Sequence, residues 1–163
     1  HTGAMDCTIF AIDNSAAMIE KCEAHHAGVS KIRWVREDLQ NIDIQNASLV
    51  ILNLTLQFIH PDKRPGLIGQ IFQGLNAGGV LLLTEKIEQE NELESRRMVQ
   101  LHQAFKKTQG YSDLEISQKR TALENVLVSD SDSVHRSRLE QAGFSEVYQW
   151  FRCLNFSSYL AIK

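Results

Sequence analysis

Short apolar runs alternate with amphipathic stretches through the first half of the chain. Thr8–Ile12 is apolar and β-branched and ends at Asp13-Asn14, which predicts a strand followed by a polar loop. Ser15 can cap the next segment, where Met18, Ile19, Cys22 and His26 recur at helical spacing until Gly28. Ile32–Val35 predicts a second strand, ending at Glu37-Asp38. Leu49–Leu54 is nearly continuous in apolar character and predicts a strand buried on both faces, with Asn53 near its tip. Pro61 and Pro65 bracket the start of a helix carrying Leu67, Ile68, Ile71, Phe72 and Leu75. Asn76-Ala77-Gly78-Gly79 then turns the chain into a strand over Val80–Thr84, which ends at Glu85-Lys86.

From Glu88 to about Gln141 the pattern is charged and helical. Glu92–Lys107, Ser112–Val128 and Ser131–Ala142 predict three helices, punctuated by Gly110 and Gly143. Two strands, Glu146–Phe151 and Phe156–Ile162, close the chain as an antiparallel hairpin. Apolar strands separated by helices predict an α/β fold with a mostly parallel sheet covered on both faces. No repeat or linker divides the 163 residues, so the chain reads as a single domain, 1–163, with a helical insertion over residues 88–142.

Composition narrows the function classes. Lys and Arg number 17 against 20 Asp and Glu, a net charge of −3, which argues against a large nucleic-acid footprint. The apolar runs fall far short of the roughly 20 residues that span a bilayer, and no leader pattern opens the chain, so a cytoplasmic protein without a membrane partner is expected. Cys7, Cys22 and Cys153 have no paired spacing, so they read as reduced thiols and no metal site is expected. His25 and His26 are adjacent and do not share a helix face, so they read as surface residues ending a helix.

Polar residues gather behind the predicted strands, where open α/β sheets bind ligands. Asp13 can accept hydrogen bonds from vicinal ribose hydroxyls, or cap the following helix. Asp38 can meet an adenine amino group or cap a turn. Asn53, if buried, needs a hydrogen-bond partner in a ligand or a neighbouring loop. Arg120, beside Lys119, either belongs to a solvated basic face or offers a guanidinium fork to a carboxylate. No nucleophile–base pair, Walker loop or zinc spacing is present.

The segments AIDNSAAMIEKC, EDL, LNLTLQF, GLNAGG, GYSDLEISQKR with LENV, and AGFSEV with WFRCLNF together resemble the carboxy-S-adenosyl-L-methionine synthases of bacterial tRNA wobble-uridine modification. These belong to the class I S-adenosylmethionine-dependent methyltransferase superfamily. The resemblance runs from about Cys7 to Lys163. It implies a Rossmann-like class I methyltransferase sheet, mostly parallel with a C-terminal antiparallel hairpin. It further implies conversion of S-adenosyl-L-methionine and prephenate to carboxy-S-adenosyl-L-methionine and phenylpyruvate. Asp13 and Asn14 would bind the ribose and adenosine end, Asp38 and Leu39 would contact adenine, and Asn53 would lie near the sulfonium. Arg120 would hold the transferred carboxylate and is the expected catalytic residue. A homodimer without direct nucleic-acid binding is expected.

Two departures from the family pattern stand out. Ala77 occupies the position of the usual Pro before Gly78-Gly79. The family's first strand and its Gly-rich loop are missing from this chain, so two strand edges are expected to face an open slot, filled by another segment or closed by direct pairing. Without that loop, this chain alone is expected to bind S-adenosylmethionine weakly. An ordinary S-adenosylmethionine-dependent methyltransferase of a small molecule or RNA, or an inactive fragment, are the alternatives. The ligand that copurifies separates them.

Overall fold

The computed structural model describes residues 7–124 and 126–163, in two compact units that divide between Asp43 and Ile44. The first unit is a βαβ element. Strands β1 (Ile9–Asp13) and β2 (Ile32–Arg36) pair in parallel, from Ile9 opposite Ile32 to Asp13 opposite Arg36. Helix α1 (Ala16–His25) crosses between them. Its N-cap is Ser15, whose hydroxyl accepts from Met18 N at 3.4 Å. The helix ends at the histidine pair, with His26 N donating to Cys22 O at 3.0 Å, and both histidines are exposed.

The second unit is larger. It contains β3 (Ala47–Asn53), α2 (Arg64–Gly74), β4 (Leu75–Glu88), α3 (Glu92–Thr108) and α4 (Asp113–Glu124). It continues with β5 (Asp130–Ser131), α5 (Asp132–Ala142), β6 (Glu146–Cys153) and β7 (Phe156–Ile162). The strand order is β3-β4-β7-β6, with β5 paired to the end of β4. β3 and β4 are parallel, and β7 runs antiparallel to both β4 and β6. The expected C-terminal hairpin therefore forms, and its last strand inserts between β4 and β6.

Register sets the core. Leu52 lies opposite Leu83, Leu83 opposite Tyr159, and Leu81 opposite Ala161, so these residues share one sheet face. All are buried, together with Leu67, Ile68 and Ile71 of α2 and Leu139 of α5. Phe72 of α2 meets Phe144 edge-on at 5.1 Å between ring centroids, closing the layer beyond α5. Gly143 ends α5 in the left-handed region at φ 109°, and a Cβ there would lie 2.8 Å from the Phe72 ring.

Several expectations are corrected. β3 is not buried on both faces, since Leu49 and Ile51 are 53% and 56% exposed while Leu52 is 3% exposed. Leu52 shares the buried face with Leu83 and the apolar side chains of α2, while Leu49 and Ile51 lie on the other face and stay exposed. β4 does not stop before Glu85-Lys86. Both residues stay in the ladder, opposite Ser157 and Phe156, and the strand runs on to meet β5. Asn76–Gly79 interrupts the β3–β4 register instead of ending the element, with Gly78 at φ 72° and Lys163 N bonded to Gly79 O. The helix predicted over Ser112–Val128 spans Asp113–Glu124, and Asn125 lies outside the described residues.

Candidate functional site

In the first unit the parallel pairing brings two predicted positions together. Asp13 ends β1 opposite Arg36, and Glu37 N donates to Asp13 O at 3.2 Å. Asp38 and Leu39 therefore follow β2 at the same sheet end as Asp13 and Asn14. The Asp13 carboxylate is half-buried, and its Oδ1 accepts from Ser15 N at 2.8 Å. This turn explains why the chain leaves β1 and enters α1 at once. Asn14 is exposed. Asp38 caps the short 3-10 turn Leu39–Asn41, accepting from Gln40 N at 2.9 Å and from the Gln40 amide at 3.2 Å. The turn cap, one of the two roles open to Asp38, is formed. Asn41 donates to Glu37 at 3.2 Å and, with the Asp38 N–H, holds that carboxyl below the usual range.

In the second unit Asn53 ends β3 opposite Thr84. It is exposed, not buried, so its side chain is not compelled to find a protein partner. Its neighbours across the sheet are polar. Thr84 Oγ1 and Ser158 Oγ lie 2.7 Å apart, and Trp150 Nε1 donates to Ser158 Oγ at 2.9 Å. Asn53, Thr84 and Ser158 thus form a row across three strands, with the Trp150 indole at its far end.

The loop after Asn53 is held from inside. Leu54 takes φ 56°, and its N–H donates to Thr84 O at 2.7 Å. The next three N–H groups converge on one carboxylate. Thr55 N and Leu56 N donate to Glu85 Oε1 at 3.0 and 2.7 Å, and Gln57 N donates to Oε2 at 3.1 Å. Arg64, 1% exposed, takes the carbonyls: it donates to Ile59 O at 2.9 Å, Gln57 O at 3.3 Å and Val128 O at 2.9 Å. Its remaining nitrogen binds Asp130 at 2.6 Å. Burial pushes the Glu85 carboxyl up to about 7, against the pull of the three N–H donors and the Arg64 charge.

Arg120 lies exposed in α4. That helix starts with a capping box, in which Glu115 accepts from Ser112 N and Oγ at 2.8 and 2.7 Å while Glu115 N returns to Ser112 Oγ at 3.3 Å. Lys107 ties the end of α3 to Asp113 at 2.6 Å.

Sequence reasoning placed Glu85 only among the polar residues after a strand, missing its buried role in holding this loop, and missed Arg64. A signal existed for Glu85: in the run Leu81, Leu83, Glu85, Ile87 it occupies a core-facing position of an alternating strand. Arg64, between two prolines at a helix start, carries no comparable signal.

The comparisons with known proteins agree with this architecture. Residues 2–79 match the methyltransferase domain family. The chain is 50% identical over 163 residues to the carboxy-S-adenosyl-L-methionine synthase of Photorhabdus laumondii, covering 98% of this chain and 65% of that protein. Against the synthase of Escherichia coli O17:K52:H18 the identity is 47%, covering 97% of this chain and 65% of the relative. Against that of Vibrio atlanticus it is 46%, covering 100% of this chain and 69% of the relative. The chain thus spans about two thirds of the length of these curated relatives. Human N-acetylserotonin methyltransferase in complex with SAM shares the fold at a TM-score of 0.65 and 18% identity, over 96% of this chain and 41% of that one. PigF with SAH does so at 0.61 and 16%, over 96% and 43%. A class I methyltransferase fold and near-half identity along almost the whole sequence lead to one assignment: the chain belongs to the carboxy-S-adenosyl-L-methionine synthase family.

Proposed function

We propose that the protein converts S-adenosyl-L-methionine and prephenate into carboxy-S-adenosyl-L-methionine and phenylpyruvate, supplying the carboxymethyl donor for tRNA wobble-uridine modification. The observation that carries this reading is the 45–50% identity to named synthases over nearly the whole chain. The side chains supply the chemistry. Asp13 Oδ1 is engaged with Ser15 N, and a carboxylate with two oxygens retains acceptor capacity for ribose hydroxyls. Asn14 stands beside it for the adenosine end. Asp38 and Leu39, at the same strand end, flank adenine. Asn53, exposed at the tip of β3, faces the sulfonium end.

Prephenate releases carbon dioxide and hydroxide as its ring becomes aromatic. The hydroxide takes a proton from the sulfonium methyl group, and the resulting ylide carbon attacks the carbon dioxide. Water, phenylpyruvate and the carboxylated sulfonium are the products, so atoms and charge balance. Arg120 is the catalytic residue in this reading, because a planar guanidinium binds the new carboxylate through two parallel bonds.

The assembly is a homodimer. Leu93, Leu101, Phe105 and Leu114 of α3 and α4 are exposed large apolar groups, and such a surface marks an interface. The setting is cytoplasmic: among the described residues no helix is long and apolar enough to cross a membrane, and all three cysteines are free. Direct nucleic-acid binding is not part of the proposal, given the net charge of −3.

Mass spectrometry of the ligand that copurifies with the protein tests the assignment. Carboxy-S-adenosyl-L-methionine is expected. S-adenosylhomocysteine alone would point to an ordinary methyltransferase.

A further inference from the structure

We infer that Glu85 is a positioning residue that shapes the loop after Asn53, and through it the place where Asn53 and Phe58 are presented. The inference rests on the proposed role of Asn53 beside the sulfonium.

Glu85 has no exposed surface, and one of its neighbours in the ladder is neutral Ser157. A buried carboxylate is costly unless its oxygens are fully used. Here they receive three consecutive N–H groups, those of Thr55, Leu56 and Gln57. Consecutive N–H groups converging on one anion make a concave nest, which fixes the backbone of each contributing residue. The nest begins two residues after Asn53, with Leu54 in the left-handed region between them.

Arg64 holds the other side of the same loop through Gln57 O and Ile59 O. Gln57 itself is buried, and its Oε1 accepts from Lys86 N at 3.3 Å. The N–H groups of Thr55–Gln57 are therefore spent inward on Glu85, and the Gln57 carbonyl and side-chain oxygen on Arg64 and β4. What remains outward is Asn53, Leu54 and Phe58, all exposed. A loop whose backbone is bonded inward at both ends loses little entropy when its outer side chains close on a ligand.

The charged groups around Glu85 are few. Arg64 of α2 is the cation that faces it, and Asp130 of β5 neutralises Arg64 from the far side. Lys86 points to the opposite sheet face from Glu85, as successive strand residues do. Burial raises the Glu85 carboxyl to about 7, so its proton is exchanged near neutrality. The charged form is the stronger acceptor of the three N–H groups, and the protonated form is the weaker one.

Amide hydrogen exchange and ligand affinity together test this. In Glu85→Gln the exchange of the Thr55, Leu56 and Gln57 amides should accelerate about tenfold, while the β6–β7 ladder is unchanged. The affinity for S-adenosylmethionine should fall several-fold in the same variant. In the natural protein, without any substitution, protection of those three amides should rise about tenfold between about pH 6 and pH 8, after correction for intrinsic rates. If Glu85→Gln does not fold, Glu85→Asp, which keeps the anion on a shorter stem, carries the same comparison at one pH, with exchange and affinity between those expected for the natural protein and for Glu85→Gln. Unchanged exchange at the three amides, or faster exchange with unchanged affinity, overturns the positioning role. A natural protein that binds no S-adenosylmethionine, yet shows the predicted exchange, overturns the functional reading and leaves the Glu85 nest standing.

Discussion

The Arg64 guanidinium donates to the Asp130 carboxylate at 2.6 Å across a sequence separation of 66 residues. The same Asp130 oxygen accepts from Arg138 at 2.7 Å, so one carboxylate joins α2, β5 and α5. Arg64 and Arg138 side chains are 1% and 10% exposed, which makes Asp130 their shared counter-charge.

Removing that carboxylate leaves two buried cations facing each other. Asp130→Asn is expected to destabilise the fold by about 3–5 kcal/mol in chemical denaturation. The pH dependence follows from the direction of the shift. Burial raises the Asp130 carboxyl, but the hydrogen bonds and charges of Arg64 and Arg138 outweigh it, and the net value is lowered. A lowered carboxylate stabilises the fold above its ordinary pKa of about 3.9 and loses that contribution as pH falls through the folded value. Natural protein should therefore lose stability below about pH 4 more steeply than Asp130→Asn does. Parallel acid-unfolding curves for the two proteins would contradict this.

Much of the local structure was legible in the sequence because local rules govern it. Ser15, Ser131 and the Ser112–Glu115 box start helices where spacing indicated, and Gly143 stops α5. The α/β class followed from apolar strands separated by helices. What stayed hidden depends on distant pairing. An apolar run such as Leu49–Leu54 does not reveal whether its strand lies at the centre or the end of a sheet. Glu85-Lys86 reads like a strand end until β7 supplies Ser157 and Phe156 as partners. The Arg64–Asp130 pair is invisible for the same reason. Among the candidate site residues, Asp13 and Asp38 were placed by strand ends, which are local, whereas Glu85 acts on a loop 28–30 positions away.

Asp13→Ala should weaken S-adenosylmethionine binding in the natural protein about tenfold or more, since two charge-assisted hydrogen bonds to ribose are each worth about 1.5–3 kcal/mol at most. The bond from Ser15 N is lost too, so Asp13→Asn serves as control. It keeps an acceptor for the turn and should recover the helix while leaving affinity reduced. Calorimetry showing natural affinity in Asp13→Ala would remove Asp13 from the ribose site.

Arg120→Ala should discriminate between two ligands. Carboxy-S-adenosyl-L-methionine should lose much more affinity than S-adenosylmethionine, because only the former carries the added carboxylate. Arg120→Lys should restore part of the difference, as an ammonium lacks the planar fork. Equal losses for both ligands would make Arg120 a structural residue.

Light scattering at micromolar concentration should give a dimer mass, and Phe105→Asp on the exposed face of α3 should shift it towards the monomer. A monomeric natural protein would argue that the apolar surface of α3 and α4 serves another purpose.

In the proposed reaction a carboxyl group passes from prephenate to the sulfonium methyl of S-adenosylmethionine. Incubating the natural protein with S-adenosylmethionine and prephenate carrying a carbon-13 label in its ring carboxylate measures this directly by mass spectrometry. Phenylpyruvate is expected, together with a sulfonium product heavier by one labelled carbon dioxide. Bound S-adenosylmethionine with no labelled sulfonium product, or a methylated acceptor with S-adenosylhomocysteine, would contradict it.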